Sequence, residues 1–162
     1  MNAPIGDAPP HLVDYLRQHD VEAQFLAPGV PMPTVASAAE ALRVPEEQIL
    51  KTLVFVGEDG EFVVAIANGT RRVNRVLLTA ACGVPRPRAA APAVVETVTG
   101  FVAGGVAPLG LPAGLRVVVD AVTALLPYAY GGGGREHLLL RVNPLDVIRL
   151  NDAIVAPIIE PI

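Results

Sequence analysis

Only one lysine, Lys51, stands among the twelve basic residues of this 162-residue chain; the other eleven are arginines. An ammonium is compact and gives up its proton readily when water is stripped from it, whereas a guanidinium is wide, planar and always charged. A lysine kept where arginine fills every other basic position suits a place that a guanidinium cannot occupy. The plain alternative is a surface charge without chemistry. Lys51 lies in LKTLVFV (50–56), a strand pattern whose alternation puts Lys51, Leu53 and Phe55 on one face and Thr52, Val54 and Val56 on the other. An amine on an apolar face is either a lysine reaching out to water or the polar rim of a pocket with an apolar floor.

The other nucleophiles and ligands are sparse. Ser37 is the only serine, sits in an Ala-rich helical segment and lacks a G-x-S-x-G context, so a serine-hydrolase triad is excluded. His11, His19 and His137 are scattered, Cys82 is the one cysteine, and neither H-E-x-x-H nor C-x-x-C occurs. No metal site and no internal disulfide is expected. Cys82 reads as a small buried apolar residue closing a helix, and His11 and His19 as helix-surface residues. His137, between a glycine run and a strand, stays open between a structural and a site-lining role.

Two glycine-rich segments, 100–114 and 131–134, match neither G-x-G-x-x-G nor a Walker loop. The second leads into a strand, so no helix N-terminus is offered to a phosphate. Both could still bring bare backbone against a ligand. Residues 62–95 contain no Asp or Glu but carry Arg71, Arg72, Arg75, Arg86 and Arg88. This stretch is either a solvated face or a small phosphate-contacting one.

The elements that would hold these residues are legible as short periodic runs. Helices are expected at 9–19, at 35–43 with Thr34 as N-cap, at 73–81 closed by Gly83, at 92–98 closed by Gly100, and at 144–150. Strands are expected at 23–27, 50–56, 61–67, 115–119 and 137–142, with Glu58-Asp59-Gly60 as a hairpin turn. Helices and strands mix without a regular βαβ period. That favours an α+β domain with a curved mixed β-sheet flanked by helices over a doubly wound sheet. The chain is 52% hydrophobic with a net charge of −4, which excludes disorder and bulk-charge coating of nucleic acid. The uncharged run 97–115 holds too many glycines and prolines for a membrane helix, and no signal peptide is visible. The expectation is a soluble, cytoplasmic chain with a flexible N-terminus over 1–8 and one domain over 9–162.

Three segments, in order, carry a resemblance. Ile49-Leu50-Lys51-Thr52-Leu53-Val54-Phe55 resembles the lysine-bearing strand of the YbaK/ProX aminoacyl-tRNA deacylases, relatives of the editing domain of bacterial prolyl-tRNA synthetases. Residues 99–110 (TGFVAGGVAPLG) resemble that family's glycine segment with its G-x-x-x-P motif. Residues 130–135 (YGGGGR), followed by Asn143-Pro144-Leu145-Asp146, resemble its closing glycine loop, strand and helix. The match spans roughly 9–151.

The resemblance implies a compact α+β domain around a pocket, and hydrolysis of the ester joining a wrong, small amino acid such as Cys or Ala to a tRNA, chiefly that for proline. The pocket would act as a second sieve. Lys51, Gly104 and Pro108 become the implied catalytic positions. Thr52, Gly105, Val106, Ala107, Tyr130, Gly132, Gly133, Arg71 and Arg72 become the implied substrate contacts, with the segment 30–34 and Tyr130 as pocket wall. The ribose 2′-hydroxyl is implied to assist the attack, in place of a protein nucleophile. The implied partners are the acceptor end of an aminoacyl-tRNA and an aminoacyl-tRNA synthetase, with no DNA, membrane, cofactor or metal. A non-catalytic tRNA- or synthetase-binding module of the same fold, and a hydrolase of small non-tRNA esters, stay open beside this reading.

Overall fold

The computed structural model describes residue 2 and residues 4–160. Strands β2 (Leu50–Val56) and β3 (Phe62–Asn68) form its central hairpin, in register from Leu50 opposite Asn68 to Val56 opposite Phe62. The turn closes with Gly57 N–H donating to the Glu61 carbonyl at 2.8 Å. Residues 63–67 of β3 are wholly buried, as expected of a continuous apolar run covered on both faces.

Each face of the hairpin has its own core. Leu50, Val54, Val64 and Ile66 pack with Leu12 and Leu16 of α1 (Pro10–Gln18), with Phe101 and Leu109, and with Leu140. Phe55, Val63 and Ala65 pack with Leu78 of α3 (Arg75–Cys82), Val84 and Ile158. Strand β4 (Arg88–Ala89) lies antiparallel beside β2. On the other side β5 (Val117–Asp120) joins β3 in parallel, and β8 (Ile154–Ala156) joins β5 in parallel. The result is a five-stranded mixed sheet in the order β4-β2-β3-β5-β8.

A second, antiparallel sheet runs β1 (Gln24–Leu26), β7 (Leu139–Val142), β6 (Ala129–Gly132). An isolated bridge from Ile49 to Tyr130 joins the two sheets. Helix α2 (Val35–Leu42) covers one end of the second sheet, with Ala38 and Ala39 against Leu26, Ile49 and Leu139. Helices α4 (Pro92–Thr99) and α5 (Pro144–Asn151) complete the α+β arrangement. Thr34 caps α2 as expected: its Oγ1 accepts from Ser37 N–H at 3.1 Å, and Ser37 Oγ accepts from Thr34 N–H at 2.9 Å. The only serine is thus a helix-capping residue.

The α+β fold with a mixed sheet flanked by helices is as expected, and a second, three-stranded sheet adds to it. Several other expectations are corrected. The strands β4 and β8 were not anticipated, and β6 runs into glycines read as loop. Cys82 is half-exposed, in the last turn of α3, where its Sγ donates to the Leu78 carbonyl at 3.1 Å. Of the 1–8 segment read as flexible, Met1 and Ala3 lie outside the described residues; Ile5–Asp7 forms a 3-10 turn and Ala8 is buried. No helix among the described residues is long and apolar enough to cross a membrane.

Candidate functional site

Lys51 is half-buried near the start of β2. Its Nζ donates to the carbonyl of Gly69 at 3.0 Å and to that of Arg71. An ammonium has three N–H donors, so one is left for a ligand. Burial lowers the Lys51 pKa, and the nearby Arg71 guanidinium lowers it further.

The turn that receives Lys51 is braced from three sides. Gly69 N–H donates to the Ile49 carbonyl at 3.0 Å, Glu160 N–H to the Arg72 carbonyl at 2.9 Å, and Asn74 N–H to the Ile158 carbonyl at 2.7 Å. Ile158 N–H in turn donates to the buried Asp120 carboxylate at 2.9 Å. Asn68 spans from the Glu47 carbonyl, at 2.7 Å, to the Thr123 hydroxyl, also at 2.7 Å.

Thr52 points to the opposite face of β2. Its Oγ1 is buried and has no hydrogen-bond partner among the described residues. A cleft of about 230 Å³ lies there, bounded by the 32–35 segment leading into α2, by residues 49–53, by Gly104 and Val106, and by Gly132, Glu136, Leu138 and Leu139. A larger cavity, about 680 Å³, adjoins it and is lined by residues 29–33, Gly104, Glu136 and His137. Lys51 also borders a third hollow of about 570 Å³ on its own face, with Leu53, Phe55, Arg72, Arg75 and Glu160.

Five of the sequence-predicted residues meet at the cleft: Lys51, Thr52, Gly104, Val106 and Gly132. The segment 30–34 contributes Met32, Pro33 and Thr34 to its wall, and His137 borders the larger cavity. Others stand behind the cleft. Ala107 is fully buried. Pro108 packs on Gly131, and its carbonyl accepts from Asn151 Nδ2 at 2.8 Å. Tyr130 is half-buried beneath α2.

The glycines act differently from one another. Gly104 is exposed at φ +87°, a conformation that side chains disfavour, with open space around it apart from Glu136. Gly105, Gly132 and Gly133 instead let two loops pack backbone against backbone. A Cβ on Gly105 would lie 2.8 Å from the Arg135 carbonyl carbon, one on Gly133 would lie 2.7 Å from Leu138 Cβ, and one on Gly132 would overlap the Val106 carbonyl. Arg71 and Arg72 are exposed on the Lys51 side, away from the cleft lining. Glu136 was not singled out from the sequence. Its one signal is a carboxylate two residues after a glycine run.

The family described as the aminoacyl-tRNA editing domain matches residues 30–150. A proline--tRNA ligase of Pelotomaculum thermopropionicum is 36% identical over 104 residues, 64% of this chain and 18% of that protein. One of Lactococcus lactis subsp. cremoris is 32% identical over 120 residues, 74% of this chain and 19% of that protein. The chain therefore spans under a fifth of the length of these relatives. Among solved structures, hypothetical protein APE2540 superposes with a TM-score of 0.85 at 32% identity, covering 93% of this chain and 99% of that one. A crystal structure of a candidate trans-editing enzyme for prolyl tRNA synthetase superposes with a TM-score of 0.77 at 29% identity, covering 94% and 99%.

Proposed function

The chain belongs to the family of aminoacyl-tRNA editing domains, and on that premise we propose that it hydrolyses mischarged aminoacyl-tRNA, releasing a small wrong amino acid. The observation that carries this reading is the meeting of Lys51, Thr52 and the exposed backbone of Gly104 in the lining of one small cleft, with the Lys51 ammonium anchored on the adjoining 69–71 turn. Water attacks the ester carbonyl, the ester C–O bond breaks, and the products are a free amino acid and a tRNA with a free terminal hydroxyl. The neighbouring ribose 2′-hydroxyl assists, held where its effective concentration is high. The third N–H of Lys51 stabilises the negative charge that develops on the carbonyl oxygen or steadies the terminal phosphate. Gly104 to Pro108 supply backbone at the ester, with Gly104 and Val106 in the lining and the other three as support. The apolar part of the lining limits the size of the aminoacyl group, the logic of a second sieve.

The matched proline--tRNA ligases support tRNA for proline as the substrate body and a synthetase as partner; Cys or Ala is the group proposed to be removed. Work on aminoacyl-tRNA would place the activity in the cytoplasm. A second reading, a tRNA-binding module without hydrolysis, is favoured by the engagement of two Lys51 donors with backbone carbonyls. The deciding experiment measures ester release from tRNA for proline charged with Cys, Ala, Ser or Thr. Release of at least one of them far above the spontaneous rate is expected. Spontaneous release throughout, with tRNA still bound, would leave the binding module.

A further inference from the structure

Resting on the reading that the cleft takes an aminoacyl ester, we propose that Glu136 reads the α-ammonium of that ester and so selects aminoacyl groups whose amine is free. Glu136 borders both the cleft and the larger cavity beside it. Its side chain lies along Gly104: a methyl group on that glycine would meet Glu136 Cγ at 3.7 Å and Oε1 at 3.8 Å. Among the described residues Glu136 forms no ion pair. Its neighbour Arg135 directs Nε to the Asp7 carbonyl instead, at 2.8 Å.

A carboxylate is costly at the mouth of a cleft that receives the end of a polyanion, because like charges repel. The aminoacyl ester brings one cation of its own, the α-ammonium, a single carbon away from the ester carbonyl. A substrate whose ester rests on the Gly104 backbone therefore carries its ammonium to the side chain lying on that glycine. Lys51 and Glu136 line the same cleft without pairing with each other. Among the described residues Glu136 is thus the one carboxylate in the cleft lining, while the Lys51 ammonium is engaged by the 69–71 turn. Ionised partners make the stronger class of hydrogen bond.

The test uses adenosine bearing alanine through a 3′-amide, which is not hydrolysed as an ester, in two forms: free amine and N-acetylated. Calorimetric titration of the whole chain at mildly acidic pH is expected to show the free amine bound about tenfold more tightly. That preference should shrink as pH rises through the α-amino range, about 7.7 to 8.0. Glu136→Gln should bring the two forms within about twofold while the N-acetyl form binds as before, and Glu136→Asp should retain part of the preference. Equal binding by the unaltered protein, an undiminished preference in Glu136→Gln, or no binding of either form would overturn the assignment. Preference for the free amine together with no deacylation of any aminoacyl-tRNA would refute hydrolysis and leave Glu136 standing. Deacylation without the preference would do the reverse.

Discussion

Lys51 borders the cleft, and its ammonium is held by carbonyls of the 69–71 turn. Lys51→Ala is expected to leave the fold intact and to lower single-turnover deacylation by about a hundredfold, the scale of one lost electrostatic stabiliser. Lys51→Arg should restore little, because a planar guanidinium cannot donate to both carbonyls and keep a third donor at the same point. A Lys51→Ala protein within about threefold of the original rate would remove the residue from the reaction. The lowered pKa has a signed consequence. Folding disfavours the ammonium, so between the folded and unfolded pKa values the unfolded chain binds more protons. Stability must therefore rise with pH through that window, which ends near the ordinary lysine value of about 10.4. Urea unfolding across alkaline pH should show this rise, and Lys51→Met should flatten it. Much of this was legible beforehand: one lysine in an alternating strand identifies itself by its rarity and by its apolar face. Glu136 was not legible, because a lone carboxylate beside a glycine run looks like any solvated acid until the fold sets it against Gly104.

The two glycine loops show why similar sequence carries different duties. Gly132→Ala drives a methyl group into the Val106 carbonyl, and backbone cannot swing aside as a side chain can. Overpacking of this kind costs about 1–3 kcal/mol, and thermal unfolding should show the loss. Gly104→Ala has room but sits at φ +87°; the strain there is about 1–2 kcal/mol, and the new methyl group stands in the cleft. Its rate should fall by more than its lost stability explains. From sequence both segments invited the same reading, ligand approach, because a glycine pattern does not say whether a ligand or another loop comes close. Local signals served the central hairpin well: alternation and the Asp59-Gly60 turn gave β2 its observed bounds. They failed for β4 and β8, two and three residues long, which are too short for periodicity and exist through pairing with distant strands. They failed for β6 because tertiary pairing overrides the poor strand propensity of glycine.

Across the molecule, basic charge gathers on the Lys51 side of β2, where Arg71, Arg72 and Arg75 are exposed around the start of α3. If they follow the acceptor stem, replacing all three by Gln should weaken tRNA binding and reduce the slope of log affinity against log salt by up to about three phosphate equivalents. Turnover at saturating tRNA should change little, since none of the three borders the cleft. An unchanged slope would leave them as solvated charge. The brace behind this face has another consequence, in time rather than space. The turn that seats Lys51 is closed by backbone bonds from Ile158 and Glu160, and Arg71 reaches Glu160 across 89 residues of sequence. Contacts between distant parts of a chain must meet their loop-closure entropy before they stabilise anything. During synthesis the strand bearing Lys51 and its hairpin partner leave the ribosome long before the segment that fixes the lysine's anchor. The anchor of Lys51 is therefore complete only once the 154–160 segment has docked beside β5 and α3.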